Sequence, residues 1–173
     1  MNYAEIKNVD VANGPGVRVS LFVSGCPHHC PGCFNPESWD FGYGRPFDQE
    51  AMDKILRLLM PNHIKGFSLL GGEPFAPENQ KAVLDIVRRL KDEYPDKEIW
   101  CWTGYRFEDL EADRVGEHSR ELLEEIDVLV DGPFIEAQKD LGLRFRGSTN
   151  QRIINIPASI LVQSIVFWED RHC

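Results

Sequence analysis

Four short apolar runs, separated by stretches of helical periodicity, restrict the fold of this chain more than any other feature. The runs are VRVSLFV (17–23), GFSLL (66–70), EIWCW (98–102) and DVLV (127–130). They are short and largely β-branched, aromatic or aliphatic, which suits strands of a buried sheet. Between the first two lies FDQEAMDKILRLLM, where Ala51, Ile55, Leu58 and Leu59 share one helical face behind Asp48 as the cap. Between the second and third, PENQKAVLDIVRRLKDEY sets Val83, Ile86, Val87 and Leu90 in register, with Pro77 in the first turn, where its missing N–H costs nothing. HSRELLEEI (118–126) supplies a helix ahead of the fourth run, and RIINI (152–156) reads as a further strand. Strands alternating with helices imply right-handed crossovers and a parallel sheet, hence the α/β class. No repeat, low-complexity stretch or linker divides the 173 residues, so a single domain over 1–173 is expected.

Parallel sheets bind ligands at the carboxyl ends of their strands. Cys26 follows the first run, GGEP (71–74) the second, TGY (103–105) the third and DGPF (131–134) the last. Chemistry-capable residues therefore gather at one end of the sheet.

Three of the five cysteines, Cys26, Cys30 and Cys33, fall within eight positions in the spacing C-x3-C-x2-C. The N-terminal MNYAEIKNVD has neither the basic start nor the apolar stretch of a secretory signal, so a cytoplasmic location is expected. Thiols stay reduced there, and an odd, clustered set favours metal ligation or redox chemistry over disulfides. Pro27, Pro31 and Gly32 permit a loop tight enough for three thiolates to converge on one metal centre. A structural zinc site would need a fourth ligand from His28, His29 or the distant Cys101, and no second C-x2-C or His pair completes it. A 4Fe–4S cluster on three thiolates instead leaves one iron open to an exogenous ligand, an arrangement suited to catalysis more than to electron storage.

This spacing, followed one βα step later by Gly71, Gly72, Glu73 and Pro74, resembles the radical S-adenosylmethionine enzymes. The resemblance implies that Cys26, Cys30 and Cys33 hold a 4Fe–4S cluster whose open iron binds the amino and carboxylate groups of S-adenosylmethionine. Glu73 and the backbone of Gly71 and Gly72 would hold the amino group. The family commonly carries an aromatic residue before its third cysteine, whereas Gly32 stands here with Phe34 just after Cys33. Backbone contact with adenine over Gly32, Cys33 and Phe34 is compatible with that change; stacking from position 32 is not.

The segments NGPGVRVSLFVSGC and CFNPESW are similar to the glycyl-radical-enzyme activases, including the activator of pyruvate formate-lyase. WTGYRFEDL, VDGPF and LRFRGSTNQRIINI resemble, more narrowly, the activating proteins of anaerobic ribonucleoside-triphosphate reductases, and the likeness runs from residue 1 to about 156. It implies that a reductant such as flavodoxin reduces the cluster, that S-adenosylmethionine is cleaved to methionine and a 5′-deoxyadenosyl radical, and that a glycine of the reductase large subunit loses its Cα hydrogen. The chain is too short for a complete eight-stranded barrel of about 250 residues, so an open partial barrel of mainly parallel strands is expected. Rival readings are an activator of another glycyl radical enzyme and a noncatalytic zinc or iron–sulfur module.

The excess of 28 acidic over 19 basic residues, a net charge of −9, opposes general nucleic-acid binding. No apolar run approaches the roughly 20 residues that span a bilayer. Thr103 and Gly104 are either pocket residues or a turn, and Asp131 either meets a ribose hydroxyl or caps a helix. Arg144, Arg146 and Arg152 surround GSTNQ, a polar segment that either meets the reductase, closes the site or presents a solvated basic face. His28 and His29 are expected as exposed loop residues, Trp39 as a cover over the cluster or as packing, and Phe47, Trp100, Cys101 and Trp168 as core. Cys173, the last residue, is expected to be mobile.

Overall fold

The computed structural model describes residues 1–170. The expectation for Cys173 lies outside them. A seven-stranded sheet runs in the order β3 (Arg45–Pro46), β1 (Asn2–Asp10), β2 (Val17–Val23), β4 (Ile64–Gly71), β5 (Glu98–Trp102), β6 (Val128–Asp131), β7 (Arg152–Asn155). β2, β4, β5 and β6 are parallel, in the registers Leu21↔Leu69, Leu69↔Cys101 and Cys101↔Leu129. The expected α/β class with parallel strands is thus found in the middle of the sheet.

Both flanks differ from the sequence reading. β7, expected in a parallel sheet, pairs antiparallel with β6, because residues 132–151 that join them contain only a short 3-10 turn and no crossover helix. β1 was not expected and runs antiparallel to β2. Its pattern is polar, with only Ile6 and Asp10 buried, and register shifts between Tyr3 and Glu5 and between Lys7 and Asp10 break the alternation that marks a strand.

Crossovers are made by α1 (Gln49–Leu59), α2 (Pro77–Glu93), and the short α3 (Phe107–Glu111) and α4 (Ser119–Glu124); α5 (Ile156–Val162) follows β7. Asp48 caps α1 by accepting the Ala51 N–H at 2.9 Å, and Pro77 opens α2, both as the sequence indicates. Alternate strand residues divide the core between the two faces of the sheet. Val19, Leu21, Phe67, Leu69, Ile99, Cys101 and Leu129 pack with the helices, and Phe47 lies against that cluster. Trp100, Val128 and Val130 form a second cluster on the other face with Trp102, Phe145 and Trp168.

That other face also carries Arg18, which is fully buried in the middle of a strand pattern. Its guanidinium donates to Ser68 Oγ at 2.8 Å, Phe67 O at 2.9 Å and Glu98 O at 2.8 Å, tying β2 to β4 and β5. Burial pulls its pKa down to about 10, with Glu98 opposing the shift. The result is a rigid platform under the carboxyl ends of the parallel strands.

Candidate functional site

The segments after β2, β4, β5 and β6 meet at one cavity of about 450 Å3. Its wall includes Cys26, Cys30, Cys33, Gly71, Gly72 and Glu73. Thr103, Gly104 and Trp102 line it from β5, and Phe134, Leu141 and Phe145 from the segment between β6 and β7. The motifs separated by about forty residues in sequence share one chamber, as parallel topology requires.

Backbone hydrogen bonds lock GGEP against the start of the cysteine loop. Gly72 N–H donates to Val23 O at 2.7 Å and Glu73 N–H to Gly25 O at 2.8 Å. Gly71 sits at φ +107, and a Cβ on Gly72 would lie 2.6 Å from the Gly25 carbonyl oxygen, so this contact admits no side chain. The Asn79 amide of α2, absent from the sequence reading, donates to Ser24 O and Glu73 O at 3.0 Å each.

The Glu73 carboxylate is buried and takes four donors. Oε1 accepts the Phe75 N–H at 2.9 Å and the Thr103 hydroxyl at 2.8 Å. Oε2 accepts the Gly104 N–H at 2.7 Å and meets His28 Nε2 at 2.9 Å. A carboxylate has about four lone-pair sites, so this one is saturated by the protein. His28 is therefore not an exposed loop residue: it joins the cysteine loop to Glu73 and packs edge-on against Tyr105 with centroids 4.4 Å apart. His29 is exposed, and its ring lies 4.8 Å from that of Trp39.

Within the loop, Cys33 N–H donates to Cys30 O at 3.1 Å, Cys26 N–H to Trp39 O at 3.1 Å, and Asn35 N–H to Cys33 Sγ at 3.4 Å. Gly32 takes φ +71, and a Cβ there would meet Glu136 Oε1 at 2.7 Å. Phe34 is 61% exposed and leans on Phe134 at 5.4 Å, at the rim of the cavity. Burial pushes the Cys26 thiol up to about 11, partly opposed by the backbone N–H groups of His28 and His29, and burial also raises Cys30. Thiolates here need a compensating cation, which a metal centre supplies.

Among the described residues no three Cys, His, Asp or Glu side chains converge tightly enough for a single metal ion. A mononuclear zinc site needs that convergence, whereas a four-iron cluster presents a separate iron to each thiolate. The donor set, the N–H group on a cysteine sulfur and a buried indole N–H at the cavity wall without an acceptor, that of Trp39, all fit an iron–sulfur cluster.

The remaining candidates divide. Thr103 and Gly104 line the cavity while bonding Glu73, so the turn and the pocket wall are one structure. Asp131 is 1% exposed; its Oδ2 accepts the Phe107 N–H at the start of α3, at 2.8 Å, and its Oδ1 accepts from Arg152 Nε at 2.9 Å. Arg152 also grips Glu108 with two bonds of 2.9 Å, which hold the Glu108 carboxyl down to about 2 and raise the guanidinium. Arg144 pairs with Asp170, and Arg146 Nη1 donates to Gln151 O at 2.5 Å from the cavity wall. Arg146 and Arg152 are thus held in internal hydrogen bonds, whereas the Arg144 side chain stays 61% exposed while it pairs with Asp170.

Comparison with known proteins agrees with this geometry. The model of the family described as a 4Fe-4S single cluster domain matches residues 12–154. The anaerobic ribonucleoside-triphosphate reductase-activating protein of Vibrio cholerae is 50% identical over 155 residues, covering 88% of this chain and 97% of the relative. The protein of the same description from Escherichia coli K12 is 44% identical over 153 residues, 87% and 96% of the two chains. That of bacteriophage T4 is 39% identical over 155 residues, 88% and 93%. Identity of this degree over most of the chain, with the family model matching residues 12–154, places this chain in the family of anaerobic ribonucleoside-triphosphate reductase-activating proteins, with a 4Fe-4S domain.

Proposed function

We infer that this protein is a radical S-adenosylmethionine activase that generates the glycyl radical of an anaerobic ribonucleoside-triphosphate reductase. One observation carries the reading: three cysteines and Gly71, Gly72 and Glu73, from the ends of adjacent parallel strands, line one cavity in which, among the described residues, no fourth cysteine stands. When bound, the cluster and S-adenosylmethionine supply one-electron reductive cleavage to methionine and a 5′-deoxyadenosyl radical able to take a glycine Cα hydrogen.

The chain's own residues bind, orient and shield. Cys26, Cys30 and Cys33 are the iron ligands in this reading. The backbone of Gly71 and Gly72, which lines the cavity, receives the amino group. Glu73 acts with them by fixing their geometry, since its oxygens are already occupied by Phe75, Thr103, Gly104 and His28. The backbone of Gly32, Cys33 and Phe34 borders the adenine position. Asp131 does not line the chamber; it accepts the Phe107 N–H at the start of α3 and the Arg152 Nε–H, which favours its capping role over a ribose contact. A volume of about 450 Å3 lies within the range of nucleoside-sized sites.

The central parallel strands with loops over one face are consistent with the open partial barrel of the radical S-adenosylmethionine fold. Exposed Phe34 and Leu141 at the rim fit a reductase loop delivering its glycine, and a flavodoxin-type protein fits as reductant. Among the described residues no helix is long and apolar enough to cross a membrane.

The test is anaerobic incubation of reconstituted protein with dithionite, S-adenosylmethionine and the reductase. A glycyl EPR doublet on the reductase, with 5′-deoxyadenosine formed and abolished by Cys30→Ala, is expected. Turnover unchanged in Cys30→Ala would refute the cluster assignment, and a doublet arising only on another glycyl radical enzyme would refute the partner.

A further inference from the structure

Three buried side-chain polar atoms among the described residues have no hydrogen-bond partner: Ser24 Oγ, Asn150 Oδ1 and Trp39 Nε1. The indole is the most constrained of these groups. It is a donor only, with a single N–H direction, and leaving such a group buried without an acceptor costs about 1–3 kcal/mol.

Nor is Trp39 loosely held. Its carbonyl accepts the Cys26 N–H at 3.1 Å, and the carbonyl of Ser38 accepts the Gly25 N–H at 2.8 Å. The short 3-10 turn Pro36–Trp39 is further fixed by the Ser38 hydroxyl donating to Asn35 O at 2.7 Å. The ring lies against His29 and at the wall of the cavity that holds all three clustered cysteines. Trp102, the other tryptophan on that wall, satisfies its N–H on Phe145 O at 2.7 Å, so the unmet donor belongs to Trp39 alone of the two.

Thiolates and inorganic sulfides are hydrogen-bond acceptors, and hydrogen bonds to them are one of the protein's means of setting a cluster's reduction potential. We propose that the Trp39 indole N–H donates a hydrogen bond to a sulfur of the 4Fe–4S cluster held by Cys26, Cys30 and Cys33, and so raises that cluster's reduction potential. The direction follows from charge. Reduction places an extra electron on the iron and sulfur atoms, and a donor fixed beside a sulfur stabilises the reduced form more than the oxidised one. Trp39 is thus a tuning residue that eases electron entry, joining the backbone N–H of Asn35 on Cys33 Sγ. The proposal rests on the cluster reading given above, and iron content tests that reading separately.

Trp39→Phe keeps an aromatic ring against His29 and removes the donor. Parent and variant are reconstituted anaerobically and assayed for iron, then titrated redox-potentiometrically without S-adenosylmethionine. With iron retained, the variant's midpoint should move negative, the reduced-to-oxidised ratio at a fixed ambient potential falling about tenfold, or about 59 mV for one electron. A midpoint equal to the parent's overturns the proposal. So does an unchanged midpoint with weaker S-adenosylmethionine binding, which would assign the N–H to that ligand. Where Trp39→Phe loses iron, the parent labelled with indole-15N tryptophan decides the matter: pulsed EPR of the reduced cluster should detect one 15N coupling, and its absence overturns the assignment. A parent that binds no iron would refute the function on which the proposal stands.

Discussion

Replacing Glu73 by glutamine isolates the contribution of the buried carboxylate that joins four segments around the cavity. Each of its oxygens accepts one backbone N–H, from Phe75 at 2.9 Å and from Gly104 at 2.7 Å. Glutamine has one carbonyl oxygen, so either orientation of its amide turns an NH2 group toward one of those two backbone donors. The Thr103 hydroxyl can rotate and His28 can exchange tautomers, but a backbone N–H cannot. One orphaned donor costs about 1–3 kcal/mol, and the donors that remain paired lose charge assistance of about 1 kcal/mol. Relief from burying a charged group offsets part of this, leaving a net loss of about 2 kcal/mol. For a chain of this size that is a fall in Tm of about 4–8 °C. Thermal unfolding of the apoprotein followed by circular dichroism measures it. A Glu73→Gln variant melting within 1 °C of the parent would refute the four-donor brace.

Gly72→Ala should reduce iron incorporation on reconstitution to a small fraction of the parent's, because its Cβ would sit 2.6 Å from the Gly25 carbonyl beside the cysteine loop; parental iron content would contradict this. Arg18→Met should lower unfolding stability by about 3 kcal/mol in urea titration, since it removes three buried hydrogen bonds to Ser68, Phe67 and Glu98. A loss below 1 kcal/mol would show that the guanidinium does not hold the central strands together. Glu108, held down to about 2 by Arg152, stabilises the fold above its ordinary pKa of 4.5 and loses that contribution as pH falls toward 2. With the Glu108 side chain 49% exposed, solvent screening limits the contribution to about 1 kcal/mol. The stability gap between parent and Glu108→Gln should therefore be present at pH 6 and shrink at pH 3; a gap independent of pH would refute the linkage.

Features carried by local pattern were legible in the sequence. The parallel strands declare themselves as short apolar runs between amphipathic helices, and Cys26, Cys30 and Cys33 with GGEP are motifs of fixed spacing. Features that depend on distant pairing were not. His28 reads as an exposed loop residue because its partner Glu73 lies 45 positions away and no periodicity links them. The Arg18 guanidinium hides in a strand-like run because its acceptors lie on β4 and β5. β7 appeared as one more parallel strand, although residues 132–151, with no helical periodicity, carried the signal that no crossover precedes it. β1 escaped because a bulged, mostly solvent-facing strand has no alternation to read. In the sequence Asp131 is open to two roles, and only the positions of the distant Phe107 N–H and Arg152 show which hydrogen bonds its carboxylate makes.

The claim that most of this account depends on is that three cysteines hold a four-iron cluster whose remaining iron is open to S-adenosylmethionine. Pulsed EPR of the reduced cluster, with S-adenosylmethionine carrying 15N in its amino group and 17O in its carboxylate, tests it directly. Couplings from both labels to the cluster are predicted. A spectrum unchanged by the labelled compound, with the fourth iron bound by a side chain of this protein, would contradict it.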